Sequence, residues 1–221
     1  MPAWDIVTFD CYGTLIDWET GIVSAFARLP RFQEHAPSPE AILEAYAAIE
    51  PAVEAEPYRS YREILSDAGS RVAARLGLPI PSAGASFLAD SLPHWRPFPD
   101  TNTALDSLRT AGCRLGILSN VDDDLLAATR QHFTVPFDLI VTAQQVRSYK
   151  PGPAHFLTAR ASIGHERWLH AAQSNFHDIV PANALGIPTA WINRRGEAPL
   201  PGGTPTHQFP NLLAFAEFMN R

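Results

Sequence analysis

The sequence is poor in cysteine and contains no long basic or apolar run. Among its 221 residues are two cysteines, Cys11 and Cys113, too few and too far apart to suggest a disulfide framework, so we interpret both as reduced thiols. No apolar run approaches the roughly 20 residues that a membrane helix needs, and the N-terminus lacks a basic segment followed by an apolar one. We therefore expect a cytoplasmic protein with no membrane partner.

Basic residues are outnumbered by acidic ones. The chain carries 17 Lys and Arg against 23 Asp and Glu, a formal net charge of −6. Because proteins that bind a phosphate backbone usually present a basic patch, we expect no nucleic-acid partner. Hydrophobic residues make up 46% of the chain, which is enough for one full core and a small second module.

From residue 96 onward, short apolar runs alternate with helical patterns, as in the βα units of a parallel sheet. The strand candidates are residues 5–9, 114–118, 137–141, 168–172 and 189–192. The predicted helices cover residues 101–110, 122–132, 153–162, 178–185 and 211–219. The pattern predicts an α/β fold with a doubly wound, Rossmann-like parallel sheet.

Residues 17–95 behave differently, with helical periodicity and no convincing strand. Residues 38–40 (Ser-Pro-Glu) are typical of a helix start, and Pro51 is predicted to kink or end that helix. Further helices are predicted over residues 58–76 and 83–92. We expect an α/β core of residues 1–16 and 96–221, with residues 17–95 inserted as an all-helical cap over the strand ends.

The stretch of residues 7–15 carries one carboxylate, Asp10, from the end of an apolar run into a Gly-Thr turn. Ligands of open parallel α/β sheets bind beyond the carboxyl ends of the strands, so a lone Asp there is a candidate nucleophile. A turn or capping role is the alternative for this segment alone.

Polar residues follow other predicted strands or begin the helices after them, so the sheet would bring them close to Asp10. These residues are Ser119, Asn120, Lys150, Gln173, Ser174, Asn175 and Asp178. Taken alone, the first two are also typical of a helix cap, and the lysine of an exposed residue before a turn.

These residues form four motifs along the chain: Asp10, then Ser119 and Asn120, then Lys150, and last residues 173–175 with Asp178. In this order and spacing, the four motifs resemble the haloacid dehalogenase (HAD) superfamily over essentially the whole chain. Phosphatases of that superfamily carry a second Asp two residues after the nucleophile, and an acid in the fourth motif that holds magnesium. Here those positions are Tyr12 and Gln173. Magnesium prefers carboxylate and phosphate oxygens, and a phenol with a pKa near ~10 is a poor base near neutrality. We expect a site without metal or other cofactor.

Residues 10–14 (DCYGT), with 119–120, 150–151, 174–175 and 191–194, are similar to the L-2-haloacid dehalogenase branch of that superfamily. The resemblance implies that the Asp10 carboxylate displaces halide from Cα of a short (S)-2-halocarboxylate, with inversion. Water then cleaves the resulting ester at the Asp10 carbonyl carbon.

The resemblance also implies roles for the other motif residues. Asp178 would be the base or the group that orients water, Asn175 a positioning partner, and Lys150 the charge that keeps Asp10 ionised. Hydrogen bonds to the Asp10 or substrate carboxylate would come from Thr14, Ser119 and Asn120. The remaining substrate-binding candidates in these motifs are Cys11, Tyr12, Gln173, Ser174 and His177.

Some positions depart from the family. A cap-helix Arg that helps to receive the halide has no cationic counterpart in residues 46–50, which leaves Arg59 or Arg62 as candidate replacements. Their alternative role is that of solvent-facing helix residues. Phe156, His177 and Gln173 stand where the family has Tyr, Trp and Ser, so the pocket wall and its hydrogen bonding differ.

Two other functions stay open. One is a HAD-type phosphatase acting on a small phosphate ester, and the other is a ligand-binding protein that keeps the fold without turnover. The cost of burying Asp10, Lys150 and Asp178 together argues against a mere scaffold. A homodimer through the cap helices is implied by the resemblance alone.

Overall fold

The chain divides into two compact units. A computed structural model describes residues 3–30, 32–35, 37–78, 80 and 84–221. The first unit comprises Met1–Asp17, Pro97–Asn120 and Arg130–Arg221, and the second comprises Trp18–Arg96 and Val121–Thr129. Among the described residues, no helix has both the length and the apolar character needed to cross a bilayer.

A parallel sheet is the framework of the first unit. Its strands are β1 (Ile6–Phe9), β2 (Arg114–Ser119), β3 (Leu139–Thr142), β4 (Trp168–Ala172), β5 (Thr189–Ile192) and β6 (His207–Phe209). In the described part of the chain they form one six-stranded sheet of order β3-β2-β1-β4-β5-β6, and every pairing is parallel. This is the strand order of a doubly wound fold, so the predicted fold class is confirmed.

The helices of the described residues follow in chain order. They are α1 (Trp18–Ala27), α2 (Phe32–His35), α3 (Pro39–Glu54), α4 (Tyr61–Arg75), α5 (Phe87–Ser91), α6 (Thr101–Thr110), α7 (Asp123–Thr129), α8 (Ala143–Val146), α9 (Ala154–Ile163), α10 (Val180–Ala184) and α11 (Leu212–Met219). Two 3-10 turns, Leu92–His94 and Arg130–His132, follow α5 and α7, and a π-turn, Asn175–Ile179, precedes α10.

Both faces of the sheet are covered by apolar side chains. Successive residues of a strand point to opposite faces, and all four residues of β1 are buried. Val7 and Phe9 belong to a cluster with α6 and α11. Ile6 belongs to a second cluster, which includes residues of α9 and α10. This double cover explains the nearly continuous apolar runs of the central strands.

The topology defines where a ligand would bind in the first unit. From β1, the next strand in sequence, β2, lies on one side, while β4 lies on the other side. Ligands of doubly wound sheets bind in the crevice at such a switch point, beyond the carboxyl ends of the strands. Asp10 directly follows β1 and Gln173 directly follows β4, so these two segments border the crevice.

The second unit is helical. Ser38 caps α3 by accepting a hydrogen bond from the Ala41 amide, and Ser60 caps α4 through a reciprocal capping box with Glu63. Pro51 was predicted to kink or end this helix; it does not end α3, which continues to Glu54. Pro51 lies in the last turn of α3, where the loss of one N–H donor interrupts little further helix.

Residues 121–129 group with the helical unit, whereas the predicted boundaries put them in the core. The reason is visible at Asp122, whose carboxylate accepts the Tyr61 and Arg62 backbone amides at 2.9 Å each. These amides lie at the start of α4, where N–H groups have no partner within the helix. Asp122 therefore joins this segment to α4. The predicted helix over residues 83–92 begins outside the described residues, and α5 covers its second half.

The packing of α11 on the sheet can be tested with Phe215→Ala. Phe215 is fully buried and its ring contacts that of Phe9 edge-on at 6.2 Å. We expect a loss of about 3–5 kcal/mol in the free energy of unfolding, measured by urea denaturation. Leu213→Ala on the same helix is the matched control, because Leu213 is 38% exposed and its loss should cost under about 1 kcal/mol. Equal losses in both variants would contradict this packing.

Candidate active site

Asp10 is positioned by a tight turn after β1. Gly13 has a φ of 99°, a conformation that glycine adopts without steric cost, and the chain then returns to bring Thr14 beside Asp10. The Thr14 hydroxyl donates to Asp10 Oδ2 at 2.9 Å and accepts from the Gln173 backbone amide at 2.9 Å. Thr14 therefore joins the turn after β1 to the end of β4.

Lys150, the only lysine in the sequence, bridges two carboxylates. Its Nζ donates to Asp10 Oδ1 at 2.9 Å, to Asp178 Oδ1 at 2.6 Å and to the Leu118 carbonyl at 2.9 Å. The lysine side chain is 1% exposed. All three hydrogens of the ammonium group are thus used in a buried setting.

The loop that carries Lys150 is held by Asn120. The side-chain amide of Asn120 donates to the Lys150 carbonyl at 3.0 Å and accepts from the Lys150 backbone amide at 2.7 Å. Asn120 therefore forms a reciprocal pair of hydrogen bonds with the backbone of Lys150. These two bonds fix the position from which the lysine side chain extends.

Asp178 lies on the π-turn that follows β4. Ser174 caps this turn by accepting the His177 backbone amide at 3.0 Å. The Oδ1 atom of Asp178 contacts Lys150 Nζ and also His170 Nε2, at 3.0 Å. Its Oδ2 atom is buried and has no hydrogen-bond partner among the described residues. One oxygen is saturated, and the other is left to accept a further donor.

Burial and charge shift the two carboxyl groups in opposite directions. Burial raises the pKa of Asp10, and the negative charge of Asp178 adds to the rise, against the opposing effects of Lys150 and Thr14. For Asp178, burial is outweighed by the Lys150 charge and by hydrogen bonds from His170 and Lys150, so its pKa falls to about 2. Burial lowers the pKa of Lys150, but the two carboxylates raise it above its usual value. Lys150 and Asp178 therefore form an ion pair at neutral pH.

Three neighbouring groups are held neutral. Burial, together with the Lys150 charge, lowers the pKa of His155 to about 3. Burial also lowers the pKa of His177. The Cys11 thiol has a pKa well above its usual range, because of burial and the Asp10 charge. In the described residues both cysteines are buried free thiols, as predicted.

The Ser119 side chain has no hydrogen-bond partner among the described residues, whereas the Asn175 side chain has two. The Ser119 hydroxyl is buried without a hydrogen-bond partner among the described residues, so it can donate to a ligand. The Asn175 amide instead donates to the Gly203 carbonyl at 2.8 Å and accepts the Leu200 amide at 3.1 Å. A Cβ at position 203 would lie 1.9 Å from Asn175 Oδ1, so Gly203 is required for this contact.

Tyr12 and Gln173 occupy the positions at which phosphatases carry acids. Tyr12 is half-buried, and its backbone forms an isolated β-bridge with Ile16. Both backbone groups of Gln173 are hydrogen-bonded. Its amide donates to the Thr14 hydroxyl, and its carbonyl accepts from the Trp191 indole N–H at 2.7 Å.

These residues do not provide a divalent-cation site. The described residues contain no group of three or more His, Cys, Asp or Glu side chains arranged to hold a metal ion. The Lys150 ammonium is within hydrogen-bond distance of both Asp10 and Asp178, so a positive charge already lies between these two carboxylates. Magnesium requires several oxygen ligands around it, so this donor set does not fit one.

Arg59 and Arg62 lie in the second unit and are paired with acids of that unit. Arg59 contacts Glu56 at 3.0 Å and Asp67 at 3.1 Å. Arg62 contacts Asp124 at 2.7 Å. An anionic ligand would have to compete with these carboxylates for either guanidinium group.

Sequence reasoning missed residues that support the site. His155 and His170 showed no pattern, yet both are fully buried, and they contact the Ser119 carbonyl and Asp178 respectively. A histidine within a predicted central strand, where a neutral side chain is expected, is the signal that could have pointed to His170. Arg194 donates to the Thr14 carbonyl at 3.1 Å, but no local pattern indicated that contact.

The first unit is therefore a Rossmann-like α/β fold whose switch point holds a buried Asp–Lys–Asp cluster. The model of the haloacid dehalogenase-like hydrolase family matches residues 4–182. The chain belongs to the haloacid dehalogenase-like hydrolases, as the resemblance predicted.

Two relatives and one crystal structure are similar to most of this chain. The (S)-2-haloacid dehalogenase of Pseudomonas sp. (strain YL) is 29% identical over 164 residues, 72% of this chain and 71% of that protein. The (S)-2-haloacid dehalogenase of Pseudomonas putida is 27% identical over 166 residues, 73% of each chain. A crystal structure of an L-2-haloacid dehalogenase superposes with a TM-score of 0.85 and 26% identity, covering 99% of both chains.

Replacing the bridging ammonium, as in Lys150→Met, should expose the repulsion between the two carboxylates. We expect a loss of about 3–5 kcal/mol in the free energy of unfolding near neutral pH, because two buried charges lose their counter-ion. Without Lys150 the pKa of Asp178 rises above its unfolded value, so the stabilising form is the protonated one. The deficit relative to the native chain should therefore shrink between neutrality and about pH 5.

Arg114→Met is the control, because Arg114 is 44% exposed in its ion pair with Glu166. Its loss should cost under about 1 kcal/mol, without recovery in acid. A deficit for Lys150→Met that stays constant between the two pH values would contradict the bridging role.

Proposed function

We propose that this protein hydrolyses the carbon–halide bond of a short (S)-2-haloacid through a covalent ester on Asp10, without a metal ion. The observation that carries the proposal is the Asp10 carboxylate at the switch point, bridged to Asp178 by the Lys150 ammonium. The kinship with (S)-2-haloacid dehalogenases supports the choice of substrate class.

The first step is a displacement at carbon. An Asp10 oxygen attacks Cα in line with the carbon–halogen bond, the halide leaves with the bonding electrons, and the configuration inverts. Lys150 and Thr14 each donate to one oxygen of Asp10, which holds the carboxylate in one orientation for the attack.

The second step is hydrolysis of the ester. Water attacks the carbonyl carbon of Asp10 while one of its protons passes to Asp178. The bond from that carbon to the alkyl oxygen then breaks, the alkoxide takes the proton back from Asp178, and the 2-hydroxy acid leaves. The second proton of the water, now on the Asp10 carboxyl group, passes to solvent, which regenerates the Asp10 carboxylate. Whichever Asp10 oxygen forms the ester, the other keeps a donor from Lys150 or Thr14, which stabilises the developing oxyanion.

The substrate carboxylate is assigned to the free donors near Asp10. The buried Ser119 hydroxyl is the foremost of these, because it lacks a partner among the described residues. The proposal keeps a homodimer and the other substrate contacts implied by the resemblance, which are Cys11, Tyr12, Asn120, Gln173, Ser174, His177 and Arg59 or Arg62.

The covalent route can be tested by one turnover in heavy-oxygen water. With enzyme in excess over (S)-2-chloropropanoate, water attacks the Asp10 carbonyl carbon, so the label should appear in the peptide that contains Asp10. The released 2-hydroxy acid should be unlabelled in that turnover and of inverted configuration. Label in the product with an unlabelled Asp10 would mean direct attack of water on Cα, and no halide release from any 2-haloacid would refute the substrate class.

Removal of the nucleophile provides a second test. Asp10→Asn should abolish halide release, measured by ion chromatography, because the amide cannot displace the halide. Asp5→Asn, which removes an exposed carboxylate at the start of β1, should release halide at the native rate. Retained activity in Asp10→Asn would refute its role as nucleophile.

The pH dependence follows from the direction of the Asp10 shift. Only the ionised carboxylate attacks, and its pKa is raised, so the rate of halide release should fall with acidification around a midpoint above the ordinary Asp value of about 4. Pre-steady-state halide release over a pH series measures this midpoint. A midpoint at or below the ordinary value would contradict the geometry that we assign to Asp10.

Metal independence has its own test. A chelator should leave halide release unchanged, and added magnesium should not produce hydrolysis of p-nitrophenyl phosphate. Magnesium-dependent phosphatase activity in the absence of halide release would favour the phosphatase alternative.

A further inference from the structure

A buried hydrogen-bonded chain runs from the first unit's core to Asp178. The Trp168 indole N–H donates to the Thr8 hydroxyl oxygen at 2.8 Å, and that oxygen lies 2.8 Å from His170 Nδ1. His170 Nε2 lies 3.0 Å from Asp178 Oδ1. Thr8 and His170 are direct neighbours across the pairing of β1 with β4, which brings their side chains together on one face of the sheet.

The donors and acceptors along this chain determine the tautomer of His170. An indole N–H can only donate, so Thr8 accepts from Trp168 and its own hydrogen is directed to His170 Nδ1. At the other end, an ionised Asp178 can only accept, so His170 Nε2 carries a hydrogen. The neutral Nε2–H imidazole is the form that satisfies every group, and Thr8 and His170 are both fully buried.

This arrangement also determines which oxygen of Asp178 is available. Lys150 and His170 both donate to Oδ1, while Oδ2 is buried and lacks a partner among the described residues. Two donors on one oxygen prevent the carboxylate from rotating freely about its last bond. The free oxygen therefore keeps a constant direction.

We propose that His170 is a positioning residue for ester hydrolysis, which holds Asp178 so that its Oδ2 receives the proton of the attacking water, and that Thr8 sets the tautomer required. This inference rests on the proposed two-step reaction. The displacement of halide by Asp10 makes no use of Asp178 Oδ2. His170 should therefore matter for the second step and not for the first.

Rapid-quench single turnovers of (S)-2-chloropropanoate separate the two steps. His170→Leu removes the donor and should slow ester hydrolysis by about 10- to 100-fold, the range for losing a hydrogen bond to a buried charge. The Asp10 ester should then accumulate and be seen by peptide mass analysis. Halide release should stay within about threefold of the native rate, because the lost bond acts only after the halide has left.

Two further variants separate positioning from packing. The side-chain amide of His170→Gln can donate to Asp178, so this variant should recover much of the hydrolysis rate. Thr189→Val is the matched control for loss of a buried hydroxyl on a neighbouring strand, since Thr189 bonds to Asn183 and not to the site. It should change neither step.

The pH dependence of hydrolysis is a readout that packing alone would not move. The titratable and charged groups that interact electrostatically with Asp178 are Asp10, Lys150, His155, His170 and His177. Loss of the His170 donor removes one interaction that favours the carboxylate, so its pKa rises. The acid limb of ester hydrolysis in His170→Leu should therefore move to higher pH.

Histidine-selective ¹⁵N NMR tests the positioning geometry independently of any activity. The His170 signals, assigned by their loss in His170→Gln, should show a pyrrole-type Nε2 and a pyridine-type Nδ1. An Nδ1–H tautomer or an imidazolium in the native protein would overturn the inference. Equal slowing of both steps in His170→Leu and His170→Gln would also overturn it. Absence of halide release by the native protein, with the expected tautomer present, would instead refute the proposed function alone.

Discussion

The buried ammonium of Lys150 is the interaction on which the rest of the active-site cluster depends. Two buried carboxylates repel each other, and taking each of them out of water costs several kcal/mol. Lys150 offsets this by donating to both and to a main-chain carbonyl, so that none of its hydrogens is left unpaired. Burial raises the pKa of Asp10, with the Asp178 charge adding to the rise, whereas the Lys150 charge and the hydrogen bonds from His170 and Lys150 lower the pKa of Asp178.

Asp10 and Asp178 also differ in their hydrogen bonds, and this difference suits them to different roles in the proposed reaction. Asp10 has donors on both oxygens and lies directly beyond β1, as a nucleophile requires. Asp178 has both of its donors on one oxygen, which leaves the other free for water. The metal-free proposal follows from the same contacts, because the lysine provides the positive charge that a cation would otherwise bring.

Much of the first unit could be predicted from the sequence. The strands at residues 168–172 and 189–192 and the helix at residues 101–110 are predicted with the bounds that the structure has. Burial on both faces makes these strands short, mostly apolar runs, whereas the helix has its buried residues at helical spacing. β6 was not predicted, since three residues at a sheet edge, none of them fully buried, carry too little pattern. Asp122, which joins residues 121–129 to α4, acts across about 60 positions of sequence, so no local pattern records it.

Residue types and their periodicity define the chemistry available: most of the strands, the polar residues that follow them, and the absence of acids at Tyr12 and Gln173. These properties are local, since they depend on the residues at neighbouring positions. Only the folded chain shows that Lys150 donates to both acids, that the Asn175 amide is bonded to the loop at Gly203, and that His170 contacts Asp178. Such contacts require segments that are far apart in the chain to be placed to within a few tenths of an ångström. That precision is reached only when the sheet and its helices pack together.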